Sequence, residues 1–265
     1  QELVQNILSS GKRVIDLSAD FRLKSSKLYR EWYNMEHKFP QLLKKAVYGL
    51  PELNRKKIKK AKLVANPGCY PTSAILALAP IMGKKVIDES SIIIDAKSGV
   101  SGAGRTPSQA FMFSEVNEST RPYAVTIHRH TPEIEGELKK FSKKKIKVTF
   151  TPHLIPMDRG IISTIYAPLL KKRSFEIARE LYNDFYGKEP FIRLLNEGCY
   201  PSTKAVRGTN YCDINIFHDI RCGRLIVVSA IDNLLKGASS QAVQNMNIMY
   251  DLGEDRGLKL DNYYP

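Results

Sequence analysis

The stretch ANPGCYPT (residues 65–72) joins a short apolar segment, 61–65, to the apolar run SAILALAPI (residues 73–81). The first segment predicts the end of a strand, and the second predicts a buried helix led by Pro71 and Thr72. Proline suits a first helical turn, because the N–H that it lacks would have no intrahelical acceptor there. The stretch therefore predicts a strand-to-helix turn, the connection on which an alternating α/β arrangement is built.

Cys69 lies at this turn, against backbone N–H groups that have no partner within the helix. The positive end of a helix dipole favours a negative charge and lowers the pKa of a thiol, so Cys69 is a candidate nucleophile. In the alternative, Cys69 is a small buried apolar residue, as most free cysteines are. Flanking glycine and proline suit an exposed turn better than a core, and both interpretations remain open on spacing alone.

Composition and charge argue against membrane, disulfide-rich, metal-binding and nucleic-acid-binding proteins. The 265 residues, 43% hydrophobic and 26% charged, suffice for two domains, and no apolar run approaches the ~18–20 residues of a membrane helix. Four cysteines without CxxC spacing predict a reducing, cytoplasmic compartment, no disulfide framework and no metal site. The net charge is +14, and basic residues cluster at 55–62, 139–147 and 171–173 with one aromatic residue, Phe141, among them. That pattern favours solvated faces and attraction for anionic substrates over nucleic-acid binding.

The remaining pattern predicts a parallel α/β beginning, a strand-rich α+β half and a closing helix. Without an initiator Met, the chain starts with a helical pattern over 1–9 and a strand over 12–17. We expect it to begin partway through a longer protein, so that an organelle-targeting segment before residue 1 would not be visible. The other predicted strands lie within 86–98 and at 123–128, 146–151, 161–167, 213–217 and 224–231. The other predicted helices cover 132–141, 174–186 and 233–250.

The strand within 86–98 runs into the glycine-rich loop SGVSGAGR (98–105). The loop lacks the GxGxxG pattern, and no clear amphipathic helix follows it, so it is not a dinucleotide fingerprint. Its serines, its single Arg105 and the close backbone approach that glycine allows predict a cradle for an anion or phosphate. A flexible hairpin is the alternative.

A thiolate nucleophile needs an acid–base partner, and HRHTPE (128–133) places two of the five histidines at a predicted strand-to-helix junction. We favour His128, because it closes the predicted strand and lies five residues before Glu133, which can orient a histidine or bind substrate. His130 can instead belong to the helix N-terminus, where the dipole disfavours a cation. His153 is a third candidate.

Seven motifs occur in order along the chain. They are DLSADFR (16–22), YGLPE (48–52), NPGCYPT (66–72), SGVSGAGR (98–105), HRHTPEIE (128–135), PHLIPMDRGI (152–161), and DNLLKGA through MN (232–247). Together they closely resemble the N-acetyl-gamma-glutamyl-phosphate reductases of arginine biosynthesis, relatives of aspartate-semialdehyde and glyceraldehyde-phosphate dehydrogenases. The resemblance covers essentially the whole chain.

The resemblance implies an α/β plus α+β fold. Residues 1–68 would be the C-terminal part of a Rossmann NADP-binding domain, whose N-terminal part, with its glycine-rich fingerprint, is absent from this chain. Residues 69–232 would form a glyceraldehyde-phosphate-dehydrogenase-like catalytic and oligomerisation domain. Residues 233–265 would return to the NADP-binding domain as a C-terminal helix. A homodimer or homotetramer is the implied assembly.

The resemblance also implies a reaction, the NADPH-dependent reduction of an acyl phosphate to a semialdehyde through a Cys69 thioester. His128 or His130 would act as the acid–base group, with Glu133 beside them. The guanidinium groups of Arg105 and Arg129 would bind phosphate or carboxylate. Asn233 would hold the nicotinamide carboxamide. The implied NADP(H)-binding residues are Ser18, Ser98, Gly99, Ser101, Gly102 and Asn233.

Two other functions remain as alternatives. One is the reduction of a related acyl phosphate, such as the aminoadipyl phosphate of a lysine pathway. The other is a truncated chain that binds a substrate or partner without turnover, an alternative that the missing cofactor segment motivates. Nucleic-acid binding ranks third, and a steep salt dependence of DNA affinity would be its signature.

Overall fold

The computed structural model of this chain describes residues 1–104, 106, 108–171 and 173–258. The strands in this part of the chain are β1 Val14–Asp16, β2 Val47–Tyr48, β3 Leu63–Ala65, β4 Ile92–Ser98, β5 Arg121–Pro122, β6 Val148–Leu154, β7 Ile161–Pro168, β8 Ile192–Leu194, β9 Cys212–Asp219 and β10 Arg224–Ile231. The helices are α1 Glu2–Ser9, α2 Ser26–Tyr33, α3 Pro40–Lys45, α4 Pro51–Lys59, α5 Cys69–Leu78, α6 Phe113–Val116, α7 Thr131–Leu138, α8 Ser174–Tyr186, α9 Thr203–Val206 and α10 Ser239–Met249.

The first sheet has three parallel strands in the order β1-β3-β2. Side chains of the central strand β3 alternate between two apolar layers, as the period of a strand requires. Leu63 and Ala65 pack with residues of α1 and α3, whereas Val64 packs with residues of α4 and α10. The last helix of the described chain thus covers the same sheet as the first helices.

Helix α5 leaves this sheet directly from β3, which confirms the predicted strand-to-helix turn. The helix begins at Cys69 rather than at residue 73, because the Thr72 N–H already bonds the Gly68 carbonyl at 2.9 Å. Pro71 therefore lies in the first turn, where its missing N–H costs no hydrogen bond. Every residue from Tyr70 to Leu78 is buried, as expected of a helix that is apolar on all sides.

The second sheet is mixed and has seven strands in the order β5-β6-β4-β7-β10-β9-β8. Helix α5 packs across β7 and β10, with α7 beside it. The Ser73 hydroxyl on α5 bonds the Ser163 hydroxyl at 2.9 Å and lies 2.5 Å from that of Ser229. The nucleophile candidate therefore lies where a helix passes from one sheet to the other.

Two further predictions are corrected by the structure. The strand predicted over 123–128 is wrong: the strand of this region is Arg121–Pro122, which pairs with β6, and residues 124–127 form a turn. Ala124 and Thr126 have left-handed backbone, with φ of 46° and 66°, which an extended strand excludes. The closing helix begins at Ser239 rather than at 233, because the Asp232 carboxylate accepts the N–H groups of residues 234 and 235 and holds 232–238 as a loop.

Candidate active site

The Cys69 turn is anchored to the carboxyl edge of the first sheet. The Asn66 N–H bonds the carbonyl of Asp16 at 2.8 Å, where β1 ends. Arg22 donates from Nε to the Asn66 carbonyl at 2.8 Å and from a terminal nitrogen to the Leu17 carbonyl at 2.9 Å. One buried guanidinium thus joins the segment after β1 to the segment after β3.

The Cys69 thiol is the first side chain of α5. Its burial raises its pKa to about 11, although the Tyr70 N–H and the Arg22 guanidinium favour the thiolate. The predicted lowering of the thiol pKa is therefore wrong for this structure, because desolvation outweighs the helix N-terminus. Cys69 is a neutral thiol at neutral pH and needs a base to become a nucleophile.

His130 lies closer to the turn than the favoured His128. A Cβ atom on Gly68, the residue before Cys69, would lie 2.5 Å from Nε2 of His130. His128 lies behind it: its Nδ1 accepts the backbone N–H of His130, and the two ring centroids are 4.8 Å apart. Burial lowers the pKa of His128 to about 4 and holds that of His130 well below its usual value. Both rings are neutral, and a neutral imidazole can accept a proton.

Glu133 supports the turn from the first turn of α7. Its Oε1 accepts the Gly68 N–H at 2.9 Å and the Tyr48 hydroxyl at 2.8 Å, and its Oε2 lies 3.5 Å from the Arg22 guanidinium. Nδ1 of His130 has no hydrogen-bond partner among the described residues. Glu133 is thus bound to the Cys69 turn, Tyr48 and Arg22 rather than to a histidine.

Aromatic rings enclose the two histidines. Tyr70 meets the rings of His128 and His130 edge-on, with centroid separations of 5.7 and 6.0 Å. Tyr123 and Phe150 pack against His128 in the same manner. This apolar surround accounts for the lowered pKa of both imidazoles, because it disfavours their charged forms.

The glycine-rich loop after β4 is built from close backbone contacts. A Cβ on Gly99 would lie 2.7 Å from the backbone carbonyl of Asp158, and a Cβ on Gly102 would lie 2.6 Å from the Ser98 hydroxyl. Ser101 donates its hydroxyl to the Asp158 carbonyl. Residues 100–103 form a single 3-10 turn. The loop is thus an ordered cradle beside the segment that leads into β7.

Asn233 locks this loop to the chain that follows β10. Its Oδ1 accepts the Gly160 N–H at 2.7 Å, and its Nδ2 donates to the Ser101 hydroxyl at 3.0 Å. Four residues on, a Cβ on Gly237 would lie 2.8 Å from the Cβ of Cys69 and 2.6 Å from the Asn233 carbonyl. The loop 232–238 therefore brings the Asn233 backbone and the thiol to the same place.

The remaining predicted site residues are Ser18, Arg129, His153 and Arg105. Ser18 follows β1 and bonds the Asp16 carboxylate, and Arg129 lies exposed with its guanidinium 5.4 Å from the Tyr33 ring centroid. His153 is on β6, 3.2 Å from Asp95. Arg105 lies outside the described residues.

The arrangement fits a dinucleotide. The carboxyl ends of β1 and β3 are adjacent, and ligands of open parallel sheets bind at that edge. Ser18 follows β1, the Cys69 turn follows β3, and the loop 232–238 contacts that turn. The glycine-rich loop leaves no room for side chains at Gly99 and Gly102. Beyond its two bonds, the Asn233 amide retains one N–H and one acceptor position. In the described part of the chain, no three histidine, cysteine, aspartate or glutamate side chains group as metal ligands.

Three residues of the site were not among the predicted ones. Arg22 and Tyr48 belong to motifs on which the resemblance rests, but their side chains reach Glu133 only through the fold. Arg159, in PHLIPMDRGI, pairs with the buried Asp232 at 2.9 Å. Their places inside the quoted motifs were the available signal, and their partners were not readable from the sequence.

Known proteins match almost the whole chain. The model of the semialdehyde dehydrogenase dimerisation domain matches residues 69–233, and that of the NAD-binding domain matches residues 1–61. An N-acetyl-gamma-glutamyl-phosphate reductase of Pelotomaculum thermopropionicum is 58% identical over 96% of this chain and 74% of its own length. One of Geotalea daltonii is 55% identical over 100% of this chain and 76% of its own. The chain spans about three quarters of the length of these relatives.

Solved structures agree on the fold. Aspartate semialdehyde dehydrogenase II of Vibrio cholerae covers 94% of this chain, with 77% of its own length, at a TM-score of 0.70 and 18% identity. The Candida albicans aspartate semialdehyde dehydrogenase, solved with NADP, covers 93% of this chain with 73% of its own length. Its TM-score is 0.62 and its sequence identity is 15%. At such low identity these likenesses show the fold alone, which confirms the predicted fold class. The sequence identity carries the family: this chain belongs to the N-acetyl-gamma-glutamyl-phosphate reductases of the semialdehyde dehydrogenase family.

Proposed function

We propose that the protein reduces N-acetyl-gamma-glutamyl phosphate to N-acetylglutamate semialdehyde and phosphate, with NADPH, through a thioester on Cys69. This is a reductive dephosphorylation of arginine biosynthesis. The observation that carries it is a thiol at the first residue of α5, with His130 against the preceding glycine, in a chain more than half identical to reductases of that name.

Acylation needs a thiolate, a proton acceptor and a stabilised oxyanion. We assign the acceptor role to His130, because its neutral ring packs on Gly68. As the Cys69 sulfur bonds the acyl carbon, its proton passes to that imidazole, and the carbon–oxygen bond to phosphate breaks. Backbone N–H groups at the start of α5 suit the oxyanion, because the first N–H groups of a helix have no intrahelical acceptor and favour negative charge.

Reduction of the thioester uses the same residues, but His130 now donates a proton instead of accepting one. NADPH, when bound, supplies the hydride that brings the acyl carbon to the aldehyde level. The imidazolium of His130 can protonate the oxygen, and loss of a proton as the carbon–sulfur bond breaks releases the aldehyde and restores Cys69. Ser18, Ser98, Gly99, Ser101, Gly102 and Asn233 are the proposed NADP(H)-holding residues. The cradle and the contact of Gly237 with Cys69 support this assignment.

For the substrate's anionic groups we propose Arg105 and Arg129, the latter from its exposed position beside the histidines. Arg22 adds a fixed positive charge under the turn, since its guanidinium favours the Cys69 thiolate. Guanidinium forks match both carboxylate and phosphate. His128 is assigned to hold the His130 backbone through Nδ1, and Glu133 to hold the turn.

We propose the domain division 1–68, 69–232 and 233–265. The two separate sheets support the first boundary, and the packing of Ile248 and Met249 against α4 and β3 supports the return of the C-terminal segment. The family model names the second region a dimerisation domain.

We also propose a homo-oligomer, a dimer or tetramer, in which a second copy covers the outer face of the seven-stranded sheet. On that face Tyr166 lies between Ile93 and Ile226 on neighbouring strands, and all three are half-buried. Light scattering of Tyr166→Lys should show a smaller particle than the unchanged protein. A particle of unchanged mass would refute this interface.

A cytoplasmic location stays a prediction, supported by four cysteines that are all free. Within the described part of the chain, every helix is too short or too polar to span a bilayer.

The test of function is the reverse reaction, phosphate-dependent reduction of NADP by N-acetylglutamate semialdehyde. We expect turnover that requires phosphate and vanishes in Cys69→Ser, with circular dichroism unchanged. The aminoadipate semialdehyde analogue is the matched control substrate. Faster turnover of that analogue, or phosphate-independent turnover, would contradict the proposal.

A further inference from the structure

Helix α10 presents two buried amides to the Cys69 turn. Gln241 and Asn245 lie four residues apart, and therefore on one face of the helix. Both side chains are fully buried. The hydrogen bonds of both side chains go to groups other than the thiol, and the reaction assigned above uses neither residue.

Gln241 reaches the C-terminal side of the turn. Its Nε2 donates to the Thr72 hydroxyl at 3.0 Å, and that hydroxyl donates in turn to the Gly68 carbonyl at 3.0 Å. The chain of bonds therefore runs from α10 to the peptide that immediately precedes Cys69.

Asn245 reaches the N-terminal side. Its Nδ2 donates to Oδ1 of Asn66 at 3.1 Å and to the Gly49 carbonyl at 2.8 Å. The Asn66 side chain then donates to the Ala238 carbonyl at 3.0 Å, immediately before α10 begins. The turn is thus held on both sides by the helix whose preceding loop carries Asn233.

The two amides carry a cost that an apolar helix face would avoid. Oε1 of Gln241 and Oδ1 of Asn245 are buried acceptors without a hydrogen-bond partner. A buried acceptor left unpaired is unfavourable, and apolar side chains of similar shape would remove that penalty. The presence of both buried amides at this position therefore points to a requirement for the geometry of the turn rather than to stability alone.

We propose that Gln241 and Asn245 form an amide clamp that positions Cys69, by holding Asn66 and Gly68 so that the Tyr70 N–H stays directed at the sulfur. This inference rests on the nucleophilic role proposed for Cys69. The clamp acts through the backbone, so both amides are positioning residues. It also couples the thiol to the loop 232–238, since the same helix fixes both.

The test measures the pH dependence of Cys69 alkylation by iodoacetamide, which needs neither substrate nor cofactor. The background carries Cys199→Ser and Cys222→Ser, because both of these cysteines are exposed, whereas Cys212 is buried. The perturbing variants are Gln241→Met and Asn245→Leu, which keep side-chain volume and remove the amide.

Two controls separate positioning from stability. Gln244→Met makes the same substitution at another fully buried glutamine of α10, whose amide bonds Lys236, Asn210 and Glu254 instead of the turn. Thr72→Val removes the hydroxyl that relays the Gln241 bond, and Thr72→Ser restores it.

We expect the apparent pKa of Cys69 to rise by about one unit in Gln241→Met, Asn245→Leu and Thr72→Val. Alkylation near neutral pH would slow about tenfold, because each unit lowers the thiolate fraction tenfold. Thr72→Ser and Gln244→Met should keep the original profile, whatever their effect on melting temperature. In catalysis the three perturbed variants should lose kcat with little change in KM.

An unchanged alkylation profile in folded Gln241→Met, Asn245→Leu and Thr72→Val would overturn the clamp. So would an equal change in Gln244→Met. Failure of the proposed function would give a different result. The variants would then show the expected changes in alkylation, but the unchanged protein would not turn over the acyl phosphate.

Discussion

Replacement of Glu133 by glutamine tests the electrostatic support under the Cys69 turn. The Glu133 carboxylate is fully buried, and its Oε2 lies 3.5 Å from a guanidinium nitrogen of Arg22, whose side chain is 9% exposed. Glutamine keeps an oxygen that can accept the Gly68 N–H and the Tyr48 hydroxyl. The change therefore removes one charge and leaves the Arg22 cation buried without a counter-charge.

The magnitude follows from that separation. At an effective dielectric constant of ~20, two unit charges 3.5 Å apart attract by about 5 kcal/mol. Structural relaxation and entry of water offset part of this lost attraction. Breaking a buried ion pair by removing one partner costs about 3–5 kcal/mol. We expect Glu133→Gln to lower the free energy of unfolding by about 3 kcal/mol, which corresponds to a fall in Tm of about 6–12 °C at this chain length.

Denaturant unfolding of a double-mutant cycle with Arg22→Met gives the assay. Removal of both charges should cost at least about 1 kcal/mol less than the sum of the single changes, because neither partner is then left alone. Glu137→Gln is the control on the same helix, since its partner Lys140 is 44% exposed, and it should cost less than half as much. A loss below about 1 kcal/mol in Glu133→Gln, or strict additivity with Arg22→Met, would contradict a stabilising ion pair between Glu133 and Arg22.

Three further predictions concern the site. Gly237→Ala places a Cβ 2.8 Å from that of Cys69, so kcat in steady-state assays should fall about 10- to 100-fold; near-native turnover would contradict the contact. His128 has a folded pKa of about 4 against 6.5 unfolded, so the unfolded state binds the extra proton and stability falls as pH drops through that window, by up to about 3 kcal/mol. His128→Gln should flatten this slope in denaturant titrations, and an equal slope would count against it. Asn233→Ala removes the bonds to Gly160 and Ser101 and should cost about 1–3 kcal/mol, with faster hydrogen exchange at the Gly160 amide; unchanged exchange would argue against the lock.

Local patterns predicted those parts of the molecule that local interactions determine. The turn around Cys69 and the start of α7 at Thr131 depend on residues within one or two turns, where proline and glycine act directly on the backbone. The strand predicted over 123–128 failed for the opposite reason. Its β-branched residues suit a strand, but Ala124 and Thr126 take left-handed backbone that no neighbouring glycine or asparagine indicates.

Long-range contacts set the chemistry of the site, and the sequence did not disclose them. The thiol pKa was predicted from the helix N-terminus alone, whereas burial decides its direction. The preference for His128 rested on a strand that does not form, and the fold brings His130 against Gly68. Arg22 meets Glu133 only because the segments after β1 and β3 meet at one sheet edge.

Cys69 is expected to become acylated during the reaction, and mass spectrometry of the Cys69 peptide detects the acyl group itself. The protein is incubated with N-acetyl-gamma-glutamyl phosphate without NADPH, quenched in acid and digested. We expect one N-acetylglutamyl group on Cys69, with release of one equivalent of phosphate, and neither event in Cys69→Ser. Phosphate release without an adduct on Cys69, or an adduct on another residue, would contradict it.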